Sequence, residues 1–130
     1  MNKSKKIFIA DDDPDILQII SLMLHTKQYE VETSSDANVI FNKREQMPDL
    51  ILLDIWMSGI DGRDICNKLK EDIRTKDIPV IFISANSNIE AIAAEYKADG
   101  FVAKPFEMDF FLNKINYFLE TADKNHQLSY

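Results

Sequence analysis

Two rhythms of apolar residues alternate along this chain from end to end. Short runs rich in β-branched residues, Phe or Leu fall at Lys6–Ala10, Glu30–Thr33, Leu50–Leu53, Val80–Ile83 and Phe101–Ala103, and read as buried strands. Between them the apolar positions return every three or four residues, as on one face of a helix. Ile16, Ile20, Met23 and Leu24 share such a face. So do Ile65, Leu69 and Ile73, then Ile89, Ile92, Ala93 and Tyr96, and last Met108, Leu112, Ile115 and Leu119. A weaker stripe of Ala37, Ile40 and Phe41 predicts another helix over about residues 36–45. Asp13 before Pro14 reads as an N-cap and first helical residue. The three glycines, Gly59, Gly62 and Gly100, are expected in loops.

Strands that alternate with helices define an α/β domain. Right-handed crossovers between them predict a doubly wound five-stranded parallel sheet with helices on both faces, in the flavodoxin-like strand order 2-1-3-4-5. At 130 residues the chain has the length of one domain. That domain is expected over residues 1–122, with 123–130 a polar tail or the start of a linker.

Composition changes this picture little. A chain that is 45% hydrophobic and 28% charged folds, which sets aside disorder. No apolar run approaches the roughly 20 residues that span a bilayer, and the single Cys66 permits no internal disulfide. Both features point to the cytoplasm. A net charge of −7 argues against direct nucleic-acid binding and is compatible with carboxylates gathered around a cation.

In an open parallel sheet, ligands bind beyond the carboxyl ends of the strands. Asp11, Asp12 and Asp13 follow the first strand, Asp54 the third, Ser84 the fourth, and Lys104 with Pro105 the fifth. Thr33, Ser34 and Ser35, at the end of the second, have no evident role. Each feature alone is ordinary. Aspartates cap helices and form turns, Ser84 could cap a helix beginning near Asn86, and Lys104 could sit in a plain loop. Together, four strand ends deliver acids, a hydroxyl and an ammonium to one rim. Crowded carboxylates repel unless a cation joins them, and an all-oxygen set with few protein ligands suits Mg²⁺. Asp54 could then attack phosphorus and form an acyl phosphate. Mg²⁺, Lys104 and the Ser84 hydroxyl could each take one equatorial oxygen.

The strings IFIADDDPDI, DLILLDIWMSGIDG, VIFISA and ADGFVAKPF resemble, in order, the four signature regions of response-regulator receiver domains of two-component signal transduction, the CheY-like superfamily. The resemblance covers about Lys6 to Leu119. It implies a phosphorylation-activated switch, not an enzyme, that promotes its own phosphorylation and slow dephosphorylation. Asp54 would be the phosphoacceptor, supplied by a histidine kinase or a histidine phosphotransfer protein. Asp12 and Asp54 would ligate Mg²⁺ directly, Asp11 through a water, and Trp56 through its backbone carbonyl. Ser84 and Phe101 would be the switch pair, and Lys104 the phosphate-binding lysine, followed by a cis bond to Pro105. The output face would be the fourth helix, fifth strand and fifth helix.

Three positions depart from the commonest family pattern. Ser58 stands where proline is usual, which loosens the loop after Asp54. Phe101 lacks the hydroxyl of the frequent tyrosine, and Ser84 replaces threonine while keeping the hydroxyl. Trp56, two residues past Asp54, either shields an acyl phosphate from water or docks a partner. Phe106, Phe110, Phe111, Tyr117 and Phe118 span more than one helical face, and the surplus beyond core packing is a candidate partner surface. His25 and His126 have no partner at metal-ligand spacing, and Cys66 reads as packing.

Three other functions compete. A haloacid-dehalogenase-type phosphatase would need a Thr or Val where Asp15 stands, and acids after later strands. A flavodoxin-like electron carrier needs a glycine- and hydroxyl-rich phosphate loop, which three aspartates would repel. An interaction module that has lost phosphorylation would not need the set Asp11, Asp12, Asp54, Ser84 and Lys104. The sequence leaves open the cognate kinase, the output partner or effector domain, dimerisation on phosphorylation, and whether the receiver stands alone or belongs to a longer regulator.

Overall fold

A computed structural model describes residues 4–43, 46–57 and 59–128, with side chains as far as residue 123. Five parallel strands, β1 (Lys6–Ala10), β2 (Glu30–Ser34), β3 (Leu50–Asp54), β6 (Val80–Ser84) and β7 (Gly100–Ala103), form one sheet in the order β2-β1-β3-β6-β7. Counted in chain order within that sheet, this is the expected 2-1-3-4-5. Two further strands, β4 (Trp56–Met57) and β5 (Ile60–Asp61), make a small antiparallel ribbon beyond β3.

Side chains alternate across the sheet, so each strand feeds two cores. Phe8, Ala10, Ile51, Leu53 and Phe82 point to one face, where α2 (Gly62–Glu71) and α3 (Ile89–Glu95) cover them with Ile65, Leu69, Ile89 and Ala93. Ile7, Ile9, Leu50, Leu52, Ile81 and Ile83 point to the other. There α1 (Pro14–His25) contributes Ile20 and Leu24, and α4 (Met108–Leu128) contributes Phe111, Leu112, Ile115 and Leu119. Double coverage explains why β1, β3 and β6 read as continuous apolar runs. Each large side chain removed from water in this way stabilises the fold by about 1.5–3 kcal/mol.

The start of α1 follows the expectation: the Asp13 carboxylate accepts from the Asp15 amide and Pro14 opens the helix. Four other expectations need correction. The helix expected over residues 36–45 is a 3₁₀ helix, Ala37–Asn42. Val39 and Ile40 are β-branched, and Arg74 draws the end of the turn away by donating to the carbonyls of Phe41 and Lys43. Ile73 lies outside α2 and is exposed, because Asp72 ends the helix in an extended conformation and caps the turn at the Arg74 amide. Met108 is exposed too. Phe111 fills the core position instead, stacked on Phe106 at 5.0 Å. Finally, Gly62 opens α2 and Gly100 opens β7, while Gly59 alone turns a loop, at φ +83.

The segment expected as a polar tail is helical as far as Leu128, so the boundary expected after residue 122 falls inside α4. The expectation for Ser58, and that for the His126 side chain, lie outside the described residues.

Candidate functional site

Strand register brings the expected groups to one rim. Leu53 is level with Ala10, Asp54 with Ile83, and Ser84 with Ala103. Asp11 and Lys104 each follow the last residue of their strand, so the four ends finish within about one residue of each other.

Asp11, Asp12 and Asp54 present carboxylate oxygens that all lie within 4.8 Å of one another. Asp11 and Asp54 are buried, and Asp12 is exposed at the mouth. One Asp11 oxygen accepts from the Asp13 amide at 3.0 Å, and the other pairs with the Lys104 ammonium at 3.0 Å. Burial, and next the charge of Asp11, push the Asp54 carboxyl up to about 6. Lys104 and a hydrogen bond from the Trp56 amide hold it down, and Asp12 adds a further upward push. A carboxyl raised this far is a site short of positive charge.

The Ser84 side chain is buried, and its oxygen accepts from the Asn86 amide at 3.0 Å. That contact uses one acceptor of the hydroxyl, whose O–H donor is a separate group. The helix that Ser84 could have capped from near Asn86, α3, begins instead at Ile89, with Asn88 at its N-cap position. The Ser84 carbonyl also accepts from the Lys104 amide at 2.9 Å, which ties the last two strand ends together. Lys104 precedes Pro105 in a cis peptide. Phe101 is half-buried in β7, with the Lys114 ammonium 4.6 Å above its ring. Phe106, Phe110 and Lys114 join it around a surface hollow of about 360 Å³.

The donor set fits Mg²⁺. An octahedral ion with bonds of about 2.1 Å places neighbouring ligand oxygens about 3 Å apart and opposite ones about 4.2 Å apart. Three carboxylates spread over at most 4.8 Å match that span with one of them bound through a water. Elsewhere, burial pushes the Cys66 thiol up to about 11, and its sulfur sits 3.5 Å from the Tyr96 carbonyl. It is a packed, protonated thiol, as the sequence suggested.

Three features escaped the sequence. The first residue of α2, Gly62, lies against the backbone of Asp54 and Ile55, where a side chain has no room. Lys114 covers Phe101. Arg63 bridges Trp56 and Tyr96, with its guanidinium carbon 4.8 and 5.7 Å from the two ring centres. The ribbon that creates the Arg63 contact was read as loop, and no local motif announces it.

A five-stranded parallel sheet with an acidic cluster, a hydroxyl and a lysine on its carboxyl rim defines a phosphoacceptor type of signalling domain. Residues 7–116 match the response regulator receiver domain family, and the chain belongs to it. The DNA-binding dual master transcriptional regulator RpaA of Synechocystis is 33% identical over 122 residues, which cover 92% of this chain and 51% of that protein. The chain spans about half the length of such curated relatives. Among solved structures, a CheY-like receiver domain protein of Methanospirillum hungatei superposes with TM-score 0.83 at 25% identity, covering 95% of this chain and 99% of that one. The receiver domain of the sensor histidine kinase PA1611 of Pseudomonas aeruginosa shares the fold at TM-score 0.81 and 20% identity, covering 91% of this chain and 99% of that one. It has a magnesium ion coordinated in its active-site cleft.

Proposed function

We propose that Asp54 accepts a phosphoryl group from a histidine kinase or a histidine phosphotransfer protein, and that this event biases the face formed by α3, β7 and α4. The observation that carries the reading is the cluster of Asp11, Asp12 and Asp54 within 4.8 Å, with Lys104 at its edge. A carboxylate oxygen of Asp54 forms the new bond to phosphorus while the P–N bond of the donor phosphohistidine breaks, and the departing imidazole takes up a proton. The Lys104 ammonium and the Ser84 hydroxyl donate to two of the phosphoryl oxygens. Asp12, Asp54 and the Trp56 carbonyl would hold Mg²⁺ directly and Asp11 would hold it through a water, and the bound ion would supply positive charge beside the arriving phosphoryl group. The ionised carboxylate of Asp54 is the nucleophile, and positive charge gathered at the rim favours that form.

Ser84 moving toward a phosphoryl oxygen leaves its Asn86 partner, at the approach to α3. Phe101, beside it on β7, is then free to turn inward, which changes what the α3–β7–α4 face presents. Phe110 and Tyr117, both exposed on α4, give that face its apolar contact area for an output partner, an effector domain or a second copy. On this reading residues 1–122 are the receiver unit, with α4 running on through that boundary to Leu128. No helix among the described residues is long and apolar enough to cross a membrane, in keeping with work in the cytoplasm.

Beryllofluoride with Mg²⁺ mimics an aspartyl phosphate and tests the reading without a kinase. Trp56, the one tryptophan, sits two residues from Asp54 and serves as the fluorophore. Saturable, Mg²⁺-dependent fluorescence change in wild type and none in Asp54→Ala is expected. No change with both reagents at millimolar concentration, with no mass adduct from acetyl phosphate, leaves an interaction module that works without phosphate.

A further inference from the structure

Trp56 is 57% exposed, yet its ring is held on a built support. The indole side chain leaves β4 directly opposite Asp61 of β5. Asp61 is the N-cap of α2, accepting from the Arg63 amide at 2.9 Å. The same carboxylate grips the Arg63 guanidinium through Nε at 3.0 and 3.1 Å and Nη2 at 2.7 Å. Thus pinned, the guanidinium reaches both rings, its carbon 4.8 Å from the centre of Trp56 and 5.7 Å from that of Tyr96. Tyr96 is the residue that ends α3, and Cys66 of α2 touches its carbonyl as well.

We propose that Arg63 is a positioning residue: it clamps Trp56 beside Asp54 and ties the acceptor loop to the end of α3. The clamp is directional for chemical reasons. A forked, planar guanidinium can satisfy a carboxylate edge-on and stack two rings face-on at once, which a lysine ammonium cannot do. Asp61 has already restrained the Arg63 side chain, so stacking on the rings loses little further rotamer freedom. Cation–π attraction to each ring favours the clamped indole over its other rotamers by about two- to fivefold.

The consequence concerns the lifetime of the phosphorylated state, and to that extent it rests on the function proposed above. Dephosphorylation needs a water oxygen to bond to phosphorus as the bond from phosphorus to the Asp54 oxygen breaks. The products are inorganic phosphate and a free carboxylate, with the proton of the water passing to phosphate or solvent. A clamped indole narrows the approach for that water from the ribbon side. It also makes α3 and the acceptor loop move as one unit, so a partner bound at the end of α3 alters the same lifetime.

The test is a double-mutant cycle with an independent spectroscopic arm. In unphosphorylated protein, acrylamide quenching of Trp56 should rise about twofold in Arg63→Gln and by less in Tyr96→Leu, with Asp61 and the helix cap untouched. After labelling with acetyl phosphate, Arg63→Gln and Trp56→Ala should each shorten the phosphoryl half-life about two- to tenfold, and the double variant should match Trp56→Ala alone. Arg63→Lys, which keeps the charge, should behave as Arg63→Gln. Unchanged quenching in Arg63→Gln overturns the clamp whether or not phosphorylation occurs. Additive half-life effects in the double variant overturn its action through Trp56. Wild type that takes no phosphoryl group defeats the proposed function instead, while the quenching arm still decides the clamp.

Discussion

The Lys104 ammonium lies 3.0 Å from the Asp11 carboxylate, so the cation expected to meet a phosphoryl oxygen rests beside an acid expected to hold the metal. Asp11 is 2% exposed, and a buried carboxylate needs a partner of this kind. A metal ion bound at this cluster would therefore compete with Lys104 for Asp11.

Replacing Lys104 with Met removes the competitor. Titration at pH 8, where Asp54 is ionised, should show Mg²⁺ binding unchanged or tightened by about two- to tenfold. Beryllofluoride binding, which needs the ammonium, should weaken at least about tenfold. Weaker Mg²⁺ binding in Lys104→Met would show that the lysine supports the metal site instead of opposing it.

Asp54 should make the metal-free protein less stable at neutral pH. Burial and the charge of Asp11 push the Asp54 carboxyl up to about 6 in the folded chain from an ordinary aspartate value of 3.8, so the folded state holds its proton more tightly than the unfolded one. Stability contributed by the protonated form is complete below pH 3.8 and is lost as pH rises from there through about 6. Asp54→Asn cannot ionise and should be more stable than wild type by about 1–3 kcal/mol at pH 7 without Mg²⁺. Urea denaturation should show that gap closing toward pH 4. A gap that is the same at both pH values would rule out charge crowding as its cause.

Gly62→Ala should disturb the acceptor loop. A Cβ there would meet the Asp54 carbonyl oxygen and stand 2.9 Å from the Ile55 Cα, both backbone atoms that cannot swing away. The Gly62 amide is also bonded to the Ile55 carbonyl at 2.6 Å. A loss of about 1–3 kcal/mol in thermal or chemical unfolding is expected, with weaker Mg²⁺ binding. Wild-type stability and affinity together would mean that α2 slides without consequence.

Much of this architecture was legible because the strands are covered on both faces. Ile7, Phe8, Ile51 and Phe82 are apolar wherever they point, so strand runs stand out from helical stripes. The site was legible for a related reason: a parallel sheet sends its strand ends to one rim, and Asp11, Asp54, Ser84 and Lys104 mark four of them. Features that depend on a partner far away in sequence were not. Ile73 fits the helical stripe of Ile65 and Leu69, and only the turn at Asp72 removes it. Met108 has the right spacing for the core, but Phe111, stacked on Phe106, takes the place. The ribbon of Trp56–Met57 and Ile60–Asp61 is too short for any periodicity, and the Arg63 clamp exists only because that ribbon forms.

The central claim is that Asp54 takes a phosphoryl group, and intact mass measures it most directly. Wild type and Asp54→Asn would be incubated with acetyl phosphate, with and without Mg²⁺. The account predicts one phosphoryl adduct on wild type, dependent on Mg²⁺ and absent from Asp54→Asn. An adduct of equal abundance on Asp54→Asn, or one that forms equally well without Mg²⁺, would contradict it.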